Sequence, residues 1–183
     1  MLVISKETEV LEFERTRALV GTYLDHMYCA ERFGWVLEAR NGFNSHVGDA
    51  FHLLIPYKDD GYTVNWSEEF HYGSELARKI IERLEIRHAE LPCIAFRASG
   101  DDHFFLKLGH RDRDGLVNIV GRIGDLAVEC AKEGPNDAGE FRQYVNMRTA
   151  RLLRNEQSLS ALTSALPALS ALLGLAVGAA ELV

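Results

Sequence analysis

The sequence predicts an α/β domain with a mixed sheet and flanking helices, followed by a C-terminal helical tail. Short β-prone runs alternate with amphipathic segments from Ala50 to Lys132, the pattern of strands and helices packed in layers. The chain has 183 residues, 47% of them hydrophobic and 26% charged, so it can bury one domain-sized core. Beyond Gly134 the composition changes. We therefore predict an α/β domain over residues 1–134 and a helical segment over residues 135–183.

Charge and cysteine usage narrow the classes of function. The net charge is −7 and no basic face is visible in the first 140 residues, so nucleic acid is not an expected partner. Three cysteines, an odd number, stand at wide spacings with no CxxC pair, which argues against a zinc knuckle and a dithiol redox site. The N-terminus lacks the long apolar stretch of a signal peptide. These features predict a protein of the reducing cytoplasm.

The first fifty residues divide, by local pattern, into a helix and a hairpin. Leu19, Tyr23 and their apolar neighbours recur at spacings of three and four, which predicts one amphipathic helix over residues 16–33. Trp35–Arg40 is typical of a strand, and the favoured hairpin dipeptide Asn41-Gly42 follows it. A second strand is predicted over Phe43–Val47.

The middle of the chain predicts strands and helices in alternation. Ala50–Ile55 is almost continuously apolar, as in a strand covered on both faces. An amphipathic helix follows and runs to about Arg87; it begins either at Ser67 or at Ser74, and the pattern leaves both open. Three further elements are predicted by periodicity and turn residues: a strand over Leu91–Arg97, a strand over His103–Leu108 and a helix over Leu116–Lys132.

The order of these elements, with a strand that opens at Leu91-Pro92, resembles the C-terminal two-thirds of the thioredoxin-like superfamily. In that superfamily a cis proline opens the strand after the second helix, and Pro92 matches this position. The resemblance also implies a reactive cysteine at the start of the helix that follows the central strand. The corresponding region, Pro56–Ser67, contains no cysteine. Disulfide reductase activity is therefore expected to be absent, and Cys93 is predicted to be a small buried core residue.

Histidines and aspartates suggest an alternative, a small His/Asp-dependent enzyme. His46 and His52 could approach each other on a strand pair. A second group surrounds the predicted hairpin of residues 91–108 and the loop after it: Asp101, Asp102, His103, His110, Asp112 and Asp114. No HxH, HxxxH or HExxH spacing occurs, so neither a metal nor a cofactor is predicted. GxSxG and phosphate-loop motifs are also absent, and Gly121 and Gly124 predict close helix packing instead.

Aromatic residues on the acidic connection after Pro56 form a candidate contact site. An aromatic cluster that also includes Tyr57 and Tyr72 lies on this polar, acidic sequence, and Tyr62 and Trp66 stand in its middle. Tyr and Trp are enriched at protein interfaces, so these two are candidate partner-binding residues. The alternative is that they cover the end of the sheet.

The tail carries the clearest pattern in the chain. Asp137 and Glu140 have the spacing of a capping box and predict the start of a helix. This Arg-rich predicted helix of residues 140–157 is followed by 24 uncharged residues, Gln157–Ala180. Leucines in this segment step by three and four along one seam, as helix-packing positions do: Leu159, Leu162, Leu166, Leu169 and Leu173. Four serines, a threonine, a glutamine and Pro167 weaken its fit to a bilayer.

Two functions follow from the tail, and they differ in what covers the seam. In the preferred hypothesis the chain is a non-catalytic interaction or adaptor module, and its C-terminal helices mediate oligomerisation or docking to a larger protein partner. In the alternative it is a membrane-associated effector, anchored by the apolar helix with the preceding arginines on the cytoplasmic side.

Overall fold

The computed structural model describes residues 1–25, 30–58, 72–99, 102–109 and 111–156. These residues contain five strands and six helices. In chain order they are β1 (Leu2–Ile4), α1 (Glu7–Phe13), β2 (Leu19–Leu24), α2 (Ala30–Glu38), α3 (Arg40–Val47), β3 (Phe51–Pro56), α4 (Ser74–Arg83), β4 (Cys93–Ser99), β5 (Asp102–Lys107), α5 (Arg113–Glu133) and α6 (138–156). The predicted fold class is confirmed: a mixed sheet with flanking helices and a C-terminal helix.

The sheet has the strand order β1-β3-β2-β4-β5, with β2 in the middle. Strands β1, β3 and β2 run parallel, and β4 and β5 continue the sheet in antiparallel pairing. Leu19 lies opposite Phe51 across the parallel pair β2–β3, and Leu24 lies opposite Cys93 across the antiparallel pair β2–β4. Because the three parallel strands point the same way, their carboxyl ends lie along one edge of the sheet.

The helix predicted over residues 16–33 is wrong, because Leu19–Leu24 forms the middle strand β2. Five of its six residues are buried and the sixth, Val20, is half-buried, so the strand is covered on both faces. The spacing of Leu19, Val20, Tyr23 and Leu24 fits one face of a helix, and a strand covered on both faces need not alternate, so local pattern alone does not separate the two. Pairing with β3 and β4 on both sides decides for the strand.

The hairpin predicted over Trp35–Val47 is also wrong. Trp35 lies in α2, and the Asn41-Gly42 dipeptide lies in the first turn of α3. The helix α3 buries Phe43 and Val47, which are four residues apart and therefore share one helical face. Packing of that face overrides the local turn preference of the dipeptide.

Predictions for the remaining elements agree with the structure. The strand β3 lies inside the sheet between β1 and β2, as its apolar sequence indicated. Helix α4 begins at Ser74 after the N-cap residue Gly73, which selects the later of the two starts left open. Strands β4 and β5 pair with each other, and α5 contains the predicted amphipathic helix over Leu116–Lys132.

The first half of α6 belongs to the core. Asp137 caps the helix, since its Oδ1 accepts hydrogen bonds from the amides of Gly139 and Glu140, each at 2.9 Å. This is the start that the Asp137/Glu140 spacing predicted. The side chains of Phe141 and Val145 have no exposed surface. Burial of this kind requires that α6 packs against the rest of the domain.

One arginine holds the turn between α5 and α6. Arg17 donates hydrogen bonds to the carbonyls of Ala131, Gly134 and Pro135 at 3.0, 3.1 and 2.8 Å. Its guanidinium carbon also lies 4.5 Å from the centre of the Phe141 ring. A single side chain thereby satisfies three carbonyls where the helix ladder stops.

The chain divides into two compact units, Met1–Thr149 and Ala150–Val183. The division predicted after residue 134 was based on composition, and it stays a prediction.

The two glycines inside α5 differ in their surroundings. A Cβ at Gly124 would lie 2.8 Å from Val47 Cγ1, whereas a Cβ at Gly121 would meet nothing within 4 Å. Close packing, predicted for both, is therefore found at Gly124 alone. We expect Gly121→Ala to raise the free energy of unfolding by about 0.5–1 kcal/mol, because alanine is the better helix former.

The matched substitution Gly124→Ala should lower the free energy of unfolding by about 1 kcal/mol or more, because the new methyl displaces Val47. Urea unfolding of both variants measures the difference. Equal shifts in the two variants would contradict this account of the α3–α5 contact.

Candidate functional site

The carboxyl edge of the sheet gathers polar side chains from distant parts of the sequence. Asp25 follows β2 directly, and Tyr72 stands two residues ahead of α4. Strand β4 runs antiparallel to β2, so it begins at this same edge, just after Pro92. The Leu91-Pro92 peptide bond is cis. Residues separated by more than sixty positions are therefore neighbours here.

Asp25 and Tyr72 form the buried part of this edge. Their exposed fractions are 3% and 8%. The Tyr72 hydroxyl accepts a hydrogen bond from the Asp25 amide at 2.8 Å and donates one to the Asp25 carbonyl at 3.2 Å. Burial raises the pKa of Tyr72. The hydroxyl therefore stays protonated and ties the end of β2 to the start of α4.

Cys93 lies beside this pair and carries an inert thiol. Its side chain has no exposed surface. Burial, together with the nearby negative charges of Glu90 and Asp25, raises the pKa of Cys93 to about 12. Burial likewise raises the pKa of Cys130 on α5. A nucleophilic cysteine needs a thiolate near neutral pH, and neither of these residues provides one.

Glu90 is a buried carboxylate held between two cations. It is 3% exposed, and it pairs with Arg87 at 2.6 Å between Nη2 and Oε1 and with Lys107 through Nζ and Oε2. The hydrogen bond from Lys107 is the main cause that lowers the pKa of Glu90. The carboxylate therefore stays ionised and anchors the turn before β4 to the end of β5.

Scans against protein-family models, curated proteins and solved structures found no match to this chain. The proposals for its function therefore rest on the sequence and on the geometry of the described residues.

The partner-binding residues predicted from sequence all lie outside the described residues. They are Tyr62, Trp66, Leu159, Leu162, Leu166, Leu169 and Leu173. They stay candidates on the sequence pattern alone.

The histidines and aspartates of the enzyme hypothesis have structural surroundings where the structure describes them. His46 lies on α3 and pairs with Asp125 of α5 at 2.6 Å, whereas His52 lies on β3 against the ring of Phe13. The prediction that a strand pair brings His46 and His52 together is therefore wrong. Asp112 caps α5 by accepting a hydrogen bond from Gly115 at 2.8 Å.

Two further findings concern metals and membranes. Across residues 1–25, 30–58, 72–99, 102–109 and 111–156, no group of three or more His, Cys, Asp or Glu side chains could hold a metal ion. None of the helices in these same ranges combines the length and apolarity needed to cross a bilayer.

An apolar groove of about 340 Å³ lies between the α2–α3 pair and α5. Leu53 of β3 and Ile94 of β4 line it, so it reaches down to the sheet. Trp35 and Phe43 form one wall, and Val117, which is 48% exposed, stands on the other. Apolar side chains are thus accessible on this face of the domain.

Sequence reasoning missed the polar group at the carboxyl edge. Asp25 was hidden by the helix predicted over residues 16–33, which placed it in mid-helix instead of at a strand end. The aromatic cluster predicted over residues 57–72 includes Tyr72 but does not indicate its hydrogen bonds with Asp25. Glu90 carries no local signal, because its burial depends on contacts across the sheet. Among these residues, Pro92 is the one whose position at the start of a strand the sequence predicted.

Proposed function

We propose that this chain is a thioredoxin-like interaction module that binds protein without thiol redox chemistry. The thioredoxin-like assignment is supported by the strand order, by the parallel and antiparallel directions of the strands, and by the cis bond before Pro92 at the start of β4. In the order of elements predicted from the sequence, only the region from Ala50 to Lys132 resembles this superfamily. The order of β1, α1 and β2 ahead of this region supports extending the proposed resemblance to the N-terminal third.

The observation that carries the non-catalytic part is the state of Cys93. It occupies the strand position directly after Pro92, at the edge where the superfamily places its reactive thiols. Its thiol is buried and its pKa is about 12. Such a thiol is protonated throughout the physiological range, which favours a packing role.

The binding part rests on the C-terminal segment. The 24 residues Gln157–Ala180 contain no charge, and five leucines share one seam. An uncharged seam of this length is stable when another apolar surface covers it. We propose that a second copy of the chain or a larger protein partner provides that surface.

Paired substitutions in the tail test this proposal. Leu166→Asp and Leu169→Asp place a carboxylate on the seam, and an unpaired buried carboxylate costs several kcal/mol or becomes protonated. We expect these variants to lose the oligomeric mass or the copurifying partner of the wild type. The controls Ser164→Asp and Ser170→Asp lie off the seam and should retain it, within about ±0.5 kcal/mol. Light scattering and pull-down from the native host provide the readouts.

The same four variants separate packing from membrane anchoring. Lipid surrounds a spanning helix on all sides, and a central Asp costs about 2.5–3.5 kcal/mol at any of these positions. Equal damage from the serine and leucine changes, together with pelleting of the wild type with vesicles, would replace the interaction module with the membrane-anchored effector.

A second candidate function, a single-cysteine thiol site, is favoured by the place of β2 in the sheet. The resemblance puts a reactive cysteine at the start of the helix after the central strand. That strand is β2 and not β3, so the matching position precedes α2 rather than following Pro56. In the sequence Cys29 stands directly before Ala30, the first residue of α2.

Cys29 itself lies outside the described residues, so this candidate rests on its place in the sequence. Without the second cysteine of a CxxC, such a thiol would need a separate thiol to resolve a mixed disulfide. Iodoacetamide labelling against pH tests it. A labelling pKa well below 8.5 that disappears in Cys29→Ser would favour thiol chemistry over the binding module.

A further inference from the structure

A second cavity lies at the carboxyl edge, away from Cys93. It has a volume of about 700 Å³ and opens where β1 and β3 end. Ser5 and Lys6 follow β1, Tyr57 and Lys58 follow β3, and the first turns of α4 close the far side. In α/β sheets, ligands bind at the carboxyl ends of parallel strands, and the volume is in the range of small-molecule sites.

Three lysines surround this cavity. Lys6, Lys58 and Lys79 all line it and are exposed. Across the part of the chain that the structure describes, none of the three ammonium groups has an ion-pair partner. Unpaired like charges around one concave surface focus a positive potential in the cavity.

Among the described residues, two carboxylates also line the cavity, and the cations there outnumber them. Glu7 is paired with Arg83, which offsets its charge. Glu75 in the first turn of α4 is the other. With Arg83 counted, the residues that the structure describes place four cations and two anions at the cavity and its immediate rim.

The wall indicates what kind of anion fits. The N-terminus of α4 faces the cavity, and its N-cap residue, Gly73, has no side chain that could cap it. Gly73 lies so close to Tyr57 that a Cβ would come within 2.7 Å of its backbone, so this part of the wall is backbone. Tyr57 and Leu76 add apolar wall. This combination of cationic, backbone and apolar lining suits a ligand that joins an anionic group to an apolar organic moiety.

We propose that this cavity binds a phosphate-bearing small molecule, with its phosphate between Lys6, Lys58 and Lys79. Lysine binds phosphate as a mobile point charge, and three lysines from three different segments can converge on one multiply charged group. The site is independent of the tail and of every cysteine.

Calorimetric titration of the full chain with inorganic pyrophosphate tests the proposal. We expect binding with a Kd below about 1 mM at low salt, weakening as salt screens the exposed lysines. Each of Lys6→Gln, Lys58→Gln and Lys79→Gln should weaken it by roughly three- to tenfold. The matched control is Lys132→Gln, an exposed lysine in the last turn of α5 that does not line the cavity.

Thermal unfolding of the same four variants should be unchanged, because the lysines are exposed; this separates lost binding from lost folding. Absence of pyrophosphate binding, or equal weakening by Lys132→Gln, would overturn the proposal. So would binding that appears only after Asp59, Asp60, Glu68 and Glu69 are changed to their amides. In that case the lysines serve the chain's own acidic segment between Lys58 and Tyr72.

Discussion

Replacing Phe141 with alanine is expected to lower the free energy of unfolding by about 3–5 kcal/mol. The Phe141 side chain has no exposed surface, and its ring lies beneath the guanidinium of Arg17. The substitution removes the apolar burial and leaves a cavity beside three carbonyls that Arg17 holds. A loss of this size is a large part of the stability of an ordinary domain. Urea unfolding followed by far-UV circular dichroism measures it.

The same helix provides the control for this prediction. Met147 also lies on α6 but is 58% exposed, so Met147→Ala should change the free energy of unfolding by no more than about 0.5 kcal/mol. A cost below about 1 kcal/mol for Phe141→Ala would mean that α6 is not part of the domain core. In that event the core would end with α5, as the composition change at Gly134 suggests.

Cys93 should react with a thiol reagent more than about a thousandfold more slowly than a free thiol at pH 8. With a pKa of about 12 the thiolate is about 0.01% of the population, whereas an ordinary cysteine of pKa 8.5 is about one-quarter ionised. Burial of the sulfur slows access further. Stopped-flow labelling of the Cys29→Ser/Cys130→Ser variant, in which Cys93 is the remaining cysteine, measures the rate against glutathione.

Denatured protein provides the internal control, because Cys93 should then react at the free-thiol rate. We also expect no reduction of insulin disulfides by the native chain. Fast native labelling of Cys93, or insulin reduction that disappears in Cys93→Ser, would show that this thiol is reactive and would overturn the non-catalytic interpretation.

Local chemistry in the sequence was enough to predict the elements whose signals lie within a few residues. The helix start at Asp137 depends on hydrogen bonds to amides two and three residues away, so its position could be predicted. The strand β3 has a continuous apolar run closed by Pro56, and α5 has an uninterrupted 3.6-residue period. The mixed α/β class followed from the alternation of such segments.

Contacts between distant segments decided the remainder. Leu19–Leu24 fits a helix and a strand by spacing, and pairing with β3 and β4 selects the strand. Gly121 and Gly124 look alike in the sequence, yet only Gly124 meets a neighbour, Val47 of α3. Whether a glycine permits packing depends on what lies opposite it, which no local pattern contains.

The candidate functional residues divide in the same way between those that the sequence indicates and those that only the tertiary structure brings together. The sequence by itself determined that no CxxC exists, that Pro92 opens a strand and that the tail carries an uncharged leucine seam. Only the tertiary structure brought Asp25, Tyr72 and Cys93 to one edge and placed Lys6, Lys58 and Lys79 around one cavity. The physical reason is that parallel strands with long connections align their carboxyl ends, and these join residues that are tens of positions apart in the chain.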